Sequence, residues 1–283
     1  MHIVRNPLCD KIFRYTLFVF VIIYNAFLSF SADAITIQNI SAEGSCAIVG
    51  MSAEQCQMIA LQRARASAIE QAAGIRVSSS TIVTNMALTA EFIKTYSKGF
   101  IVKEKAVWLP LDQYQKDAST PPIPEYSVKI VADISMPEPK IRPIGLNAKA
   151  NSFIFKNGEK ATIEIKAERI ARIAIFNITA DDKVAMLFPH EYEQKNIVTK
   201  DNRLIFPHPN AKIELVMHTL PNYKRDTKAF FVVAMDDASK EDFNKLFAPS
   251  VPMSITAFFQ KYSRIADYCE DLIVAYEVIN PEQ

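Results

Sequence analysis

The 283-residue chain carries 32 Lys and Arg against 31 Asp and Glu, with no basic block anywhere along it. That balance argues against nucleic acid or an anionic membrane surface as the main partner, since both need a surplus of positive charge. Only six glycines are present and no P-loop, G-x-G-x-x-G, G-x-S-x-G or H-E-x-x-H pattern occurs, so no catalytic or cofactor-binding constellation is legible.

The chain opens with Arg5, Lys11 and Arg14, then the apolar run "YTLFVFVIIYNAFLSF" over residues 15–30, then "SADA". Ala32 and Ala34 stand where an A-x-A cleavage site requires small residues, so residues 1–34 read as a secretory signal peptide cut after Ala34. The run is short of the roughly 20 apolar residues that a spanning helix needs, so no integral membrane span is expected after cleavage. The expected location is periplasmic or secreted. Cleavage removes three basic residues and two acidic ones (Asp10 and Asp33), leaving 29 of each. It also removes Cys9, leaving Cys46, Cys56 and Cys269. Cys46 and Cys56 flank "AIVGMSAEQ" and are read as a structural disulfide, worth about 2–3 kcal/mol in the chain-entropy model, with Cys269 as the leftover thiol.

Alternation in "ITIQNI" predicts a strand over 35–40. Ser52 and Gln55 form a capping box that starts a helix running to Gly74, with Cys56, Ile59, Ala60, Ser67 and Ala68 on its inner face and Arg63, Arg65 and Glu70 on its wet side. An extended segment over 75–83 and a second helix over 85–97 follow. "FIVKEKAVWLPL" and "EYSVKIVADISM" read as a hairpin, the latter with Tyr126, Val128, Ile130, Ala132 and Ile134 on one face. Together these make an α+β domain over 35–136. Residues 137–149, rich in proline, form the expected linker.

From residue 150 the texture is strands. The apolar run from Ile173 to Ile178 suits a strand buried on both sides, and "KVAMLF" is its hairpin partner across a turn at Asp181–Asp182. Further strands are predicted over 203–206, 212–217, 229–235 and 272–279, with helices over 241–247 and 254–268. The second domain, 150–283, is therefore expected to be mainly β, sandwich-like, with C-terminal helices.

Two resemblances bear on role. "NGEKATIEIKAERIARIAIFNITADDKVAMLFPHEYEQKNIV", continued by "TKAFFVVAMDDASKEDFNKLF", resembles the bacterial family catalogued as domain of unknown function 4384, over 152–247. "ARASAIEQAAGIRVSSSTIVTNMALTAEFIKTYSKGFIVKEKAV" is similar to the N-terminal domain of flagellar assembly protein T and of small envelope lipoproteins, over 35–136. Neither resemblance implies a catalytic residue. They imply a non-enzymatic exported envelope protein with a structural or binding role and an envelope protein partner, in flagellar or other surface-complex assembly. A periplasmic glycan- or peptidoglycan-binding module is the alternative.

The triplet Phe-Pro-His occurs at 188–190 and 206–208, and His218 follows. A metal-dependent hydrolase would use these three histidines with Glu191 or Glu193. The simpler reading makes each triplet a strand end, because proline cannot donate to a ladder, and no metal is expected there. Asp181–Asp182 and Asp236–Asp237 are read as turn residues. Phe153, Phe155, Phe176, Phe188, Phe206, Phe230 and Phe231 are read as core, and Trp108 as a packing residue near a rim.

Overall fold

The capping box at Ser52 forms: its Oγ accepts from the Gln55 N–H, and Gln55 Oε1 accepts from the Ser52 N–H. It starts helix α1, Ala53–Ala72, which lies across a sheet built from β1 (Ile35–Ala47), β2 (Phe100–Trp108), β3 (Asp112–Tyr114) and β4 (Ile123–Met136). These come from a computed structural model that describes residues 35–74, 95, 98–115, 117–137 and 143–281. The expected signal peptide with its Ala34 cleavage site, the 75–83 segment and nearly all of the expected 85–97 helix lie outside the described residues.

In this first sheet β4 is central, with β1 on one side and β2 and β3 on the other, all antiparallel. The β1 strand continues past the expected end at Ile40, because the register with β4 carries on to Ala47 opposite Glu125. Helix and sheet meet at very short range. A Cβ on Gly44 would lie 2.2 Å from the Ala60 carbonyl oxygen and 2.4 Å from the Ala64 amide nitrogen. Ala60, Ala64 and Ala68 are fully buried along that contact, so glycine on one element and alanines on the other set the spacing.

The rest of the chain contributes β5 (Asn147–Ala150), β6 (Ile154–Lys156), β7 (Lys160–Ala161), β8 (Ile163–Lys166), β9 (Ala171–Ile178), β10 (Lys183–Phe188), β11 (Ile197–Val198), β12 (Leu204–Phe206), β13 (Leu215–Val216), β14 (Arg225–Asp236), α2 (Phe243–Leu246), β15 (Met253–Ser254), α3 (Ile255–Tyr262) and β16 (Cys269–Ile279). A seven-stranded sheet runs β15-β10-β9-β14-β16-β6 with β11 added beside β9, and a smaller sheet runs β12-β8-β5. The chain is thus strand-rich, with several sheets.

Strands β9 and β14 are buried on both faces, as continuous apolar runs require. Their Ile173, Ile175, Phe230, Val232 and Ala234 face a core shared with Ile163, Ile165 and Phe206 of the smaller sheet. The alternate residues, Phe176, Ile178, Phe231 and Val233, face a second core that contains Phe258, Phe259 and Tyr262 of α3 together with Ala64, Ile69, Phe100 and Ile134. One core is thereby continuous from α1 and the first sheet to the large sheet, and the described residues form one compact unit. Phe100 stacks on Phe259 at 5.2 Å between ring centres, and each fully buried aromatic of this kind contributes roughly 1.5–3 kcal/mol.

Of the expected linker, residues 138–142 lie outside the described residues, while Ile144 and Leu146 are buried. Glu270 holds this stretch: its carboxylate accepts the N–H groups of Ile144, Gly145 and Leu146 at 2.5, 3.0 and 2.9 Å. The 144–146 backbone is therefore fastened to the start of β16.

Candidate functional site

Arg65 corrects the reading of α1. It projects from the face that looked wet, yet it is only 2% exposed. Its guanidinium donates Nε to Glu104 Oε2 at 2.8 Å and Nη2 to Oε1 at 2.5 Å. On the other side it reaches Asp182, Nη1 to Oδ1 at 2.5 Å and Nη2 to Oδ2 at 3.0 Å. Thr256 Oγ1 at the start of α3 donates to Glu104 Oε1 at 3.0 Å, and the Ile255 N–H donates to the Asp182 carbonyl at 3.1 Å. Asp182 is a turn residue as expected, with φ of 65°, but its carboxylate is half of this buried cluster. Burial pushes the Glu104 carboxyl up, and the Arg65 and Thr256 contacts outweigh it and hold the group below its ordinary range. Asp182 ends above its ordinary range, because burial and the charges of Glu104 and Asp181 prevail over Arg65. One cation serves two carboxylates.

A second buried set lies where β14 begins, four residues before the expected strand. Asp226 and Lys228 share a face, with Nζ 3.4 Å from Oδ2. Lys228 also donates to the His218 carbonyl, and the Leu220 N–H donates to Asp226 Oδ2 at 2.6 Å. These bonds pin the 218–220 loop to the sheet. The pair's opposite charges, two residues apart on one face, let a strand begin where the sequence looked polar.

The two Phe-Pro-His triplets do stand at strand ends, β10 closing at Phe188 and β12 at Phe206, and the two phenyl rings lie 5.2 Å apart. Both Phe-Pro peptide bonds are cis. His190 Nδ1 accepts from the Tyr192 N–H and His208 Nδ1 from the Asn210 N–H, each ring closing its own turn. His218 Nδ1 lies 3.3 Å from Asn157 Oδ1, away from both. Glu193 accepts the His208 N–H at 3.2 Å, so it ties the triplets together through backbone. Among the described residues no group of three or more His, Cys, Asp or Glu is arranged to hold a metal ion.

Cys46 and Cys56 are free thiols, in place of the expected disulfide, and Cys269 forms no disulfide either. The Cys56 Sγ–H donates to the Cys46 carbonyl at 2.8 Å, which orients it toward backbone. Cys46 sits at the end of the extended β1 ladder, not in a free turn, and its sulfur faces the Ala47 carbonyl and Met51. Phe153 is the exception in the aromatic series, 66% exposed just before β6, and Trp108 is 44% exposed at the end of β2. Asp236 behaves as a turn residue, accepting the Ala238 N–H at 3.0 Å.

The outer face of the smaller sheet carries the charged surface that the sequence reading missed. Lys149, Lys166 and Arg203 surround Glu164 at 3.6, 3.2 and 3.4 Å. Beside them a depression of about 440 Å³ is lined by Lys166, Thr199, Lys200, Asp201, Asn202 and Arg203. The turn from Thr199 to Asn202 that forms its rim is closed by backbone bonds between those two residues.

Compared with known proteins, residues 154–221 match the family model of a domain of unknown function (DUF4384), inside the span that resembles that family. No curated protein matches the chain. No helix among the described residues is long and apolar enough to cross a membrane.

Proposed function

We propose that the protein is an exported, non-enzymatic component of the cell envelope that acts by structure and binding. Export is carried by one observation, the basic start, apolar run and small-residue site ending at Ala34. In this reading residues 35–136 are the α+β part that docks to a larger assembly, 137–149 lead on from it, and 150–283 are the sandwich-like part that presents a binding surface, the two packed on one shared core. The likeness of 35–136 to flagellar assembly protein T supports a place in flagellar or other surface-complex assembly, with an envelope protein as partner.

The same surface supports a second reading, a glycan- or peptidoglycan-binding module, because the depression beside Arg203 mixes cations with a carboxylate, an amide and a hydroxyl. The test of the first reading is fractionation of expressing cells with mass spectrometry of the N-terminus. The expected product begins at Ile35 in the exported fraction and is recovered cross-linked to an envelope protein. A chain that keeps residues 1–34 and stays in the cytosol overturns it.

A further inference from the structure

We propose that the outer face of the β12-β8-β5 sheet binds an anionic saccharide, a hydroxyl-bearing ring that carries a carboxylate or a phosphate, in the depression bordered by Lys166, Lys200 and Arg203. The inference rests on the binding role proposed above and names its ligand class.

The register supplies the first reason. Leu204 pairs with Ile165 and Ile205 with Glu164, so one step further along the antiparallel ladder Arg203 falls opposite Lys166. Like charges directly across two strands are destabilising. Glu164 Oε1, 3.2 Å from Lys166 and 3.4 Å from Arg203, offsets only part of that repulsion, and because both residues line the depression a bound anion offsets the rest.

Charge balance supplies the second. The exposed pairs Lys129–Glu43, Lys160–Glu214 and Lys183–Asp181 each set one cation on one carboxylate. Glu164 instead has three cations around it, none closer than 3.2 Å. Neighbouring strands lie about 4.8 Å apart, so a charge surplus is concentrated over three adjacent strands in a chain that is otherwise balanced. The depression is shallow and open to solvent, so a ligand there stays partly exposed and is held by charge and hydrogen bonds, not by enclosure. Its lining divides the work: Lys166, Lys200 and Arg203 meet the acid group, while Asp201, Asn202 and Thr199 exchange hydrogen bonds with ring hydroxyls.

The test is calorimetric titration of the purified chain with three oligosaccharides of equal length: a galacturonic acid oligomer, a phosphorylated mannose oligomer and a neutral glucose oligomer. The expected result is salt-sensitive binding of at least one acidic probe and none of the neutral one, and which acid binds separates carboxylate from phosphate recognition. Arg203→Gln and Lys166→Gln each weaken that binding by tenfold or more. Both side chains are more than half exposed and their contacts with Glu164 are surface ion pairs worth little, so each variant keeps the fold and shifts the melting temperature only slightly. Binding of the neutral oligomer as strongly as the acidic ones, unchanged affinity in both variants, or no binding of either acid overturns the proposal. Fractionation reports on export separately, so a failed titration leaves that result standing.

Discussion

Arg65 and Asp182, 117 residues apart in sequence, are joined by two hydrogen bonds, at 2.5 and 3.0 Å, inside the core that α1 shares with the large sheet. Removing the cation strands two buried carboxylates, whereas neutralising Asp182 leaves a balanced pair. Arg65→Met is therefore expected to destabilise the chain by about 3–5 kcal/mol, the range for breaking a buried ion pair from one side. Asp182→Asn costs far less. Urea unfolding of the two variants checks the asymmetry, and equal losses would contradict the account of the cluster.

The same cluster sets a pH dependence with two opposed parts. Glu104 is held below its ordinary range despite burial, by Arg65 and Thr256, so it adds stability above its unfolded pKa that disappears as pH falls through the depressed value. Asp182 is raised by burial first, so its folded form takes up a proton more readily than the unfolded chain does. Stability therefore rises, through Asp182, as pH falls from the raised value toward the ordinary aspartate range near ~4. Relative to Asp182→Asn, the native chain should gain stability over that window. Relative to Glu104→Gln it should lose stability at lower pH. Urea midpoints at a series of pH values distinguish the two, and parallel curves for native chain and both variants would contradict the assignment.

How much of this was legible in the sequence depends on range. The capping box at Ser52 and Gln55, the alternation of Val128, Ile130, Ala132 and Ile134, and the two-sided run of β9 are local patterns, and the structure forms each of them. Arg65 was not legible, because its partners lie 39 and 117 residues away and an arginine among helical alanines resembles a solvated one. The β14 strand was read too short for a related reason: Asp226 and Lys228 neutralise each other only once the loop carrying His218 and Leu220 folds over them. The depression beside Arg203 is equally hidden, since its two opposed cations are 37 residues apart and meet only through strand register.

Gly44 is the tightest point between α1 and its sheet. A methyl group there meets backbone atoms of Ala60 and Ala64, which have no side-chain freedom with which to yield. Gly44→Ala should cost at least the 1–3 kcal/mol typical of overpacking, roughly, because helix and strand must separate. Gly158→Ala is the control: its added Cβ meets nothing within 4 Å, so only the strain of its positive φ of 83° is felt. Thermal melting followed by circular dichroism should rank Gly44→Ala clearly below Gly158→Ala, and the reverse order would contradict the packing described here.

Cys46, Cys56 and Cys269 are all buried and form no disulfide, and reactivity requires an exposed thiolate. Burial, reinforced by the neighbouring Cys56, pushes the Cys46 thiol up to about 12, so it is protonated at neutral pH. Its sulfur also lies inside the core that α1 and β4 build, so alkylation has to wait for local opening of that layer. Iodoacetamide should modify Cys46 orders of magnitude more slowly in the native chain than in urea, as read by peptide mass spectrometry. Gly44→Ala, which loosens the same layer, should speed Cys46 more than Cys269, which lies in the same core but on the large sheet, paired with Met235. Native alkylation of Cys46 at the rate of an unfolded thiol would show that β1 and α1 do not close over it.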